Sequence, residues 1–294
     1  MTSPTFLERR AFGRRSFLAL GGATLAQGVG LIRPAAATAV QAVRSSAAGQ
    51  SFFLTTVDLT DPRTFLHIGL ANNAPQANSH QRSYGAEAFG SMVSRLRAAV
   101  VANGTFFAQN AQLSVMGNMV SGGRFLKYSQ WENFGTTLGL RVGNRPEMVT
   151  ARAETVPQWD RHWFSITCGP RLLRRGSPWI NPGLEGFRDA RVISGAAART
   201  AIGFSADGRR LMLVNFDQNV TLQQEAQVMQ AIGCHEAMNL DGGASRALAS
   251  HGQIVVPAGR PLTNVIAIYT AQAPAPTWLQ QSWARFQLNG RVEG

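Results

Sequence analysis

The sequence predicts an α+β fold, a single domain with a mixed or antiparallel sheet core flanked by helices. Three observations carry this expectation. Short stretches rich in β-branched and aromatic residues recur along the chain, bounded by Gly, Pro, Asp and Asn. Helical patterns are few and do not alternate regularly with those stretches, as parallel βαβ units would require. Without residues 1–37, the 294-residue chain keeps 257 residues, enough for one full-sized core.

Those first residues read as an address. In "RRSFLALGGATLAQGVGLIRPAAATA" the pair Arg14-Arg15 precedes Ser16, Phe17 and Leu18, then a weakly apolar, glycine-diluted stretch and an alanine-rich segment with a small-x-small end at 37–39. This is the layout of a twin-arginine export signal. It predicts the export machinery as a partner and a periplasmic or secreted mature protein. Residues 38–50 read as a linker, 51–271 as the main domain, and 272–294 as a Pro-rich connector with an amphipathic helix. No later stretch approaches the ~20 apolar residues of a membrane span, so no integral membrane segment is expected after cleavage.

Along the domain, "SFFLTTVDL" and "TFLHIGLA" predict strands joined by the turn Thr60-Asp61-Pro62. "YGAEAFGSMVSRLRA" predicts a helix with Ala88, Met92 and Leu96 on one face, leading into the buried strand "AVVAN". Further strands are expected at "TTLGLRV", "FSITC", "PRLLRR", "RTAIGFS" and "RRLMLVNF", the last two forming a hairpin around "SADGRR". "VTLQQEAQVMQAIGC" is the clearest helix: Thr221 and Gln224 form a capping box, Leu222, Ala226, Met229 and Ile232 a stripe, and Gly233 the stop. "HEAMNLD", "GQIVVP" and "NVIAIYT" supply the last strands, and Leu279, Trp283 and Phe286 share one face of a final helix expected to dock on the domain.

Composition narrows the function. Loss of residues 1–37 removes five arginines and one glutamate, lowering the formal charge from +12 to +8. A basic balance suits anionic ligands, but no basic run carries interleaved aromatics, so nucleic acid is not an expected partner. Cys168 and Cys234 leave two options open, a disulfide across an oxidising compartment or two buried thiols. The scattered histidines show no metal-ligand spacing, so no protein-held metal is expected.

The polar candidates follow strand ends. "AMNLDGGAS" sets Asn239 and Asp241 two apart, on one face if the strand continues, with Gly242, Gly243 and Ser245 directly behind. Glycines there allow positive φ and close approach, and successive amides can cradle an anion. "NGTFF" repeats this grammar with Asn103, Gly104, Thr105, Phe106 and Phe107, and "ARTAIG" places Arg199 and Thr200 at a strand start, where a guanidinium could clamp a phosphate. Glu236 and Asp217 are weaker carboxylate candidates. A Ser or Cys hydrolase fits poorly: there is no G-x-S-x-G elbow, and Cys234 and His235 are adjacent, so their side chains diverge on a strand.

In this order, "VDLTDP", "NGTFF", "CGPRLL", "RTAIGFSADGRRLMLV", "TLQQEAQVMQAIGCHEAMNLDGGAS" and "NVIAIY" resemble the phosphodiester glycosidase family over roughly residues 50–271. The resemblance implies cleavage of a sugar from a sugar-1-phosphodiester. Asn103, Gly104, Arg199, Thr200, Asn239, Asp241, Gly242, Gly243 and Ser245 fall on its motif positions. On this reading Arg199 and the amides after Asp241 hold the phosphate, Asp241 acts as nucleophile or base, Asn239 orients it or binds a sugar hydroxyl, and Asn103 and Thr105 line the sugar pocket. No cofactor is implied; a divalent ion shared with the substrate phosphate stays open. Ala244 stands where the family tends to have a third glycine, and "FDQNVTL" departs at Asp217 and Gln218. The alternative is a non-catalytic envelope module that binds phosphorylated or acidic polysaccharide.

Overall fold

The structure is a computed structural model that describes residues 40–292; the expected export signal lies outside them. In chain order the strands are β1 (Ala42–Ala47), β2 (Gln50–Asp58), β3 (Phe65–Leu70), β4 (Val100–Asn103), β5 (Met119–Ser121), β6 (Arg124–Lys127), β7 (Thr136–Arg141), β8 (Arg145–Thr150) and β9 (Phe164–Cys168). They continue as β10 (Arg171–Arg174), β11 (Ser177–Pro178), β12 (Ala197–Phe204), β13 (Arg210–Val220), β14 (Glu236–Asn239), β15 (Leu248–Ser250), β16 (Gln253–Val256) and β17 (Asn264–Tyr269). The helices are α1 (Phe89–Leu96), α2 (Pro182–Glu185), α3 (Ala190–Ile193), α4 (Leu222–Ala231) and α5 (Thr277–Asn289).

Three sheets organise these strands: β1-β2-β13-β12-β14-β10-β11, β16-β15-β4-β17-β3 and β6-β5-β9-β7-β8. Every strand pairing among the described residues is antiparallel. The expected α+β class therefore holds only in part: the molecule is largely β, and the mixed-sheet option falls away. Several strands are only three or four residues long, too short to show a period of two in the sequence.

Residues 40–50 correct the linker reading. β1 pairs with β2 from Ala42↔Thr55 to Ala47↔Gln50, and the connection is the pair Ala48-Gly49, both at positive φ (48° and 72°). That is the geometry of a two-residue primed turn, made without the Asn-Gly or Asp-Gly that normally announces one. β2 and β3 are both strands, as expected, yet enter different sheets. The β12–β13 hairpin forms as read, closed by the Gly208 amide on the Ser205 carbonyl at 2.9 Å.

The helices bury the faces their spacing indicates. α4 carries the capping box, with the Gln224 amide donating to Thr221 Oγ1 and Gln224 Oε1 accepting from the Thr221 amide. Its Leu222, Ala226 and Met229 are buried in the smaller of two apolar clusters, against the first sheet. α1 buries Met92 and Leu96, but starts at Phe89, leaving Ala88 as its exposed N-cap. α5 docks as expected: Leu279 and Phe286 are buried, and Trp283 meets Trp163 edge to face at 4.9 Å. Cys168 and Cys234 are free and buried, so the disulfide option is not realised. Each belongs to a different apolar cluster, Cys168 to the larger and Cys234 to the one under α4.

Candidate active site

β14 delivers the site. It pairs with β12 through Ala201↔Asn239, and the Leu240 amide continues the ladder onto the Thr200 carbonyl at 2.7 Å. The chain then turns sharply at Asp241-Gly242-Gly243. An ideal Cβ on Gly242 would sit 2.3 Å from the Ala198 carbonyl oxygen, so only glycine fits there. Gly243 instead needs its freedom of angle, at φ 57° with open space around it. Ala244 is not in the left-handed region and lines the cavity, so an alanine here introduces no backbone strain.

Asp241 is almost wholly buried at the cavity wall, and its neighbours are defined. One carboxylate oxygen accepts from the Gly242 amide at 2.8 Å. The other lies 3.2 Å from Nη2 of Arg260, whose Nε donates to Ser245 Oγ at 2.7 Å. The Arg260 guanidinium stacks 4.3 Å above the Phe107 ring. Burial pushes the Asp241 carboxyl above the ordinary aspartate range, against the downward pull of Ser245, Arg260 and the Gly242 amide. The Gly242 amide, expected to face a bound anion, is thus taken by the carboxylate beside it.

Arg199 is aimed by a β-bulge. Register shifts between Ala198 and Thr200, opposite Phe216 to Asn219, so the departing "FDQN" segment forms the other side of the irregularity. The guanidinium is buried, with Nε donating to the Val220 carbonyl at 2.8 Å and Nη2 to the carbonyls of Val192 and Gly195 at 3.1 and 2.9 Å. Only Nη1 faces the site, 3.5 Å from Asn239 Oδ1. The expectation of a two-pronged clamp from Arg199 does not hold in this arrangement. Behind it Glu225 is fully buried, 3.9 Å from Nε, and neither carboxylate oxygen has a hydrogen-bond partner. Burial lifts its carboxyl to about 8 despite the nearby guanidinium.

The structure brings the sequence candidates together in two layers. Arg199, Asn239, Asp241, Gly242 and Gly243 line a cavity of about 360 Å3 with Phe106, Phe107 and Arg260. Asn103, Gly104, Thr105, Thr200 and Ser245 stand behind it. Asn103 Nδ2 donates to the Asp241 carbonyl at 2.6 Å, while its Oδ1 accepts from Thr200 Oγ1 and the Ala247 amide, both at 3.0 Å. Thr105 Oγ1 donates to the Thr167 carbonyl at 2.6 Å, and a Cβ on Gly104 would lie 2.0 Å from Asn264 Oδ1. Asn103 and Thr105 therefore hold the wall rather than line it.

Of the weaker carboxylates, Glu236 pairs with Arg171 and Asp217 with Arg44 at 3.0 Å. Neither lines the cavity; Asp189 does, tied to Arg191 at 2.6 Å. Sequence reasoning missed Arg260, which sits in the loop "AGRPLTN" with no motif around it. It missed Asn264 too, whose side chain brackets Thr105 through its amide and carbonyl at 2.8 and 3.2 Å. Among the described residues no group of three or more His, Cys, Asp or Glu is placed to hold a metal ion.

Fold and cavity together define a small-ligand site, arginine-bearing on one wall and aromatic on another, with one buried carboxyl between. The family follows from comparison. The chain belongs to the phosphodiester glycosidase family, whose model matches residues 96–269, a span that contains every cavity-lining residue named above. The fold is similar to the zebrafish N-acetylglucosamine-1-phosphodiester alpha-N-acetylglucosaminidase catalytic domain auto-inhibited by its pro-peptide. That likeness has a TM-score of 0.62 at 20% identity, covering 78% of this chain and 81% of that one. It is also similar to a hypothetical protein from Synechocystis (TM-score 0.56, 19% identity, 78% and 61% coverage). A putative exported protein from Burkholderia pseudomallei K96243 shares the fold at TM-score 0.53 and 12% identity, with 76% and 75% coverage. No curated protein sequence matches the chain.

Proposed function

We propose that the protein is an exported hydrolase that cleaves a sugar-1-phosphodiester at the sugar C–O bond, with phosphate as leaving group. The sugar we propose is N-acetylglucosamine, which the zebrafish neighbour's name specifies, and the setting is envelope or extracellular polysaccharide. One observation carries the reading: the Asp241 carboxyl, Arg260 and Nη1 of Arg199 converge on one cavity.

Ordinary glycosidases need a second carboxyl to protonate a poor alkoxide leaving group. A phosphodiester avoids that need, because the departing phosphate is already a stable anion. What it requires is positive charge on its oxygens, which Arg260 and Arg199 supply from fixed positions in a partly dry site. Asp241 then serves as nucleophile at the anomeric carbon or as base toward water, with Asn239 beside it to orient a sugar hydroxyl. The Arg191 guanidinium draws the carboxyl of Asp189, the other carboxylate on the wall, below the ordinary aspartate range.

The test is hydrolysis of an N-acetylglucosamine-1-phosphodiester in oxygen-18 water. Label in the released sugar is the expected result; label in phosphate means P–O cleavage and overturns the scheme. Among the described residues, the cavity wall carries no unpaired acid besides Asp241, which favours one other reading, a module that binds phosphorylated or acidic polysaccharide without turnover. Calorimetric binding of such a glycan, with no product after prolonged incubation, would select it.

A further inference from the structure

A buried carboxyl stands behind the cavity without a hydrogen bond to account for it. Glu225 lies in the first turn of α4, fully buried, and neither of its carboxylate oxygens has a partner. The cation beside it is Arg199, whose Nε is 3.9 Å away. A carboxylate that served to hold this guanidinium would accept from it. Here Nε donates to the Val220 carbonyl instead, and Nη2 to the carbonyls of Val192 and Gly195. Backbone thus fixes the arginine in place, and what Glu225 contributes is charge or the absence of it.

The surroundings leave Arg199 as the group that feels that charge. α4 packs on β10, β11, β12, β13 and β14. Besides Arg199, these strands carry Arg171, Arg174, Arg210, Asp217 and Glu236. Arg171 is paired with Glu154 and Glu236, Arg174 with Glu154 at 3.0 Å, and Asp217 with Arg44. Arg210 stands near Cys234, past the far end of the helix. Burial lets the Glu225 carboxyl keep its proton up to about 8, against the pull of Arg199.

The two protonation states present different walls to the cavity. With the proton on, Glu225 is neutral and the charge of Arg199 is undiminished at Nη1, the group that faces the site. With the proton off, a carboxylate 3.9 Å behind the guanidinium opposes that charge in a medium that screens little. Linkage makes the effect reciprocal: an anion bound at Nη1 raises the proton affinity of Glu225 by the factor that protonation adds to anion affinity.

Resting on the placement of phosphate at Arg199, we infer that Glu225 is a positioning residue that sets anion affinity through Arg199. It must carry its proton for tight binding, and above neutral pH it takes that proton from solvent as the anion enters.

The probe is inorganic sulfate, fully ionised across the range used, titrated calorimetrically into the full chain. Affinity should fall about tenfold from pH 6.5 to 10. At pH 8.5, heats compared between buffers of different ionisation enthalpy should report uptake of about half a proton. In Glu225→Gln the affinity should change less than about twofold over the same range, and the uptake should vanish. In the parent alone, absence of sulfate binding, a flat affinity or buffer-independent heats each overturn the inference. An equal fall in Glu225→Gln assigns the titration to Asp241 and overturns it too. Hydrolysis of a methyl diester is read separately. There the parent should lose about tenfold in kcat/KM over this interval relative to Glu225→Gln, through KM rather than kcat. If no diester is hydrolysed, the hydrolase reading fails, and the sulfate titrations still decide the role of Glu225.

Discussion

Gly242 and Gly243 are neighbours with different reasons to be glycine, and alanine at each separates them. At Gly242 the backbone angles are −142° and −154°, extended and open to any residue. The obstacle is space: the added methyl would lie 2.3 Å from the Ala198 carbonyl oxygen and 3.5 Å from the Arg199 Cα. A carbon–oxygen contact is comfortable only about 1 Å further out, and the obstructing atom is backbone at the Arg199 bulge, so the turn itself must move. Forced overpacking of this kind costs about 1–3 kcal/mol. A 1 Å displacement of a catalytic group costs roughly a hundredfold in rate. At Gly243 the methyl meets nothing within 4 Å, and the penalty is the left-handed φ of 57°, about 1–2 kcal/mol for an L side chain. Gly242→Ala should therefore lose about two orders of magnitude in diester turnover and lower Tm by roughly 2–4 °C for each kcal/mol. Gly243→Ala should keep most of its turnover at a comparable Tm. Thermal melts and initial rates on both variants decide it. Equal activity loss at the two positions would refute the claim that approach to Ala198, rather than local flexibility, fixes the Asp241 turn.

Three further variants test the charges. Asp241→Asn should lose turnover by about a thousandfold or more. Because burial raises its folded pKa above the ordinary 3.8, Asp241 contributes stability below that value which is lost as pH rises through the folded pKa. The asparagine variant should thus melt higher than the parent at neutral pH and converge with it in acid, as scanned by a pH series of melts. Arg260→Met removes a group that draws the Asp241 carboxyl down, so the acidic limb of kcat/KM should move to higher pH; an unmoved limb would sever Arg260 from Asp241. Glu225→Gln replaces a carboxyl raised from 4.5 to about 8 by burial; the parent should lose stability relative to this variant as pH climbs through that interval, in urea titrations.

The helices and the long strands were legible because their signals are local. Thr221 and Gln224 form their reciprocal bonds within one turn, and β12 and β13 meet across a five-residue loop. Asn239, Asp241 and their glycines were legible for the same reason: a polar pair followed by residues that permit close approach. Arg260 was not, because its meaning lies entirely in Phe107, Ser245 and Asp241, brought to it from other parts of the chain. The β1 strand, Ala-Val-Arg-Ser-Ser-Ala, shows no polar–apolar alternation and is readable only once β2 stands beside it. Arg199 is legible as a polar residue at a strand start, but the use of its donors is not. Nothing local says that the carbonyls of Val192, Gly195 and Val220 will occupy most of its donors.

Asn103 shows where the site's rigidity originates. It ends β4 in the second sheet, yet its side chain reaches the first sheet twice, through Thr200 Oγ1 on β12 and the Asp241 carbonyl beyond β14. Thr200 is bonded in turn to Asn215 on β13, whose amide also holds the Ala247 carbonyl at 3.2 Å. All of these groups are buried, so each missing partner would leave a donor or acceptor unsatisfied at a cost of about 1–3 kcal/mol. The Asp241 turn is consequently clamped from both sheets at once, and its carboxyl is held still beside Arg260 while burial keeps its proton affinity high. A fold that is mostly short antiparallel strands needs such a seam. No single strand of four residues could fix the position of an acid by itself, but two sheets locked through one asparagine can.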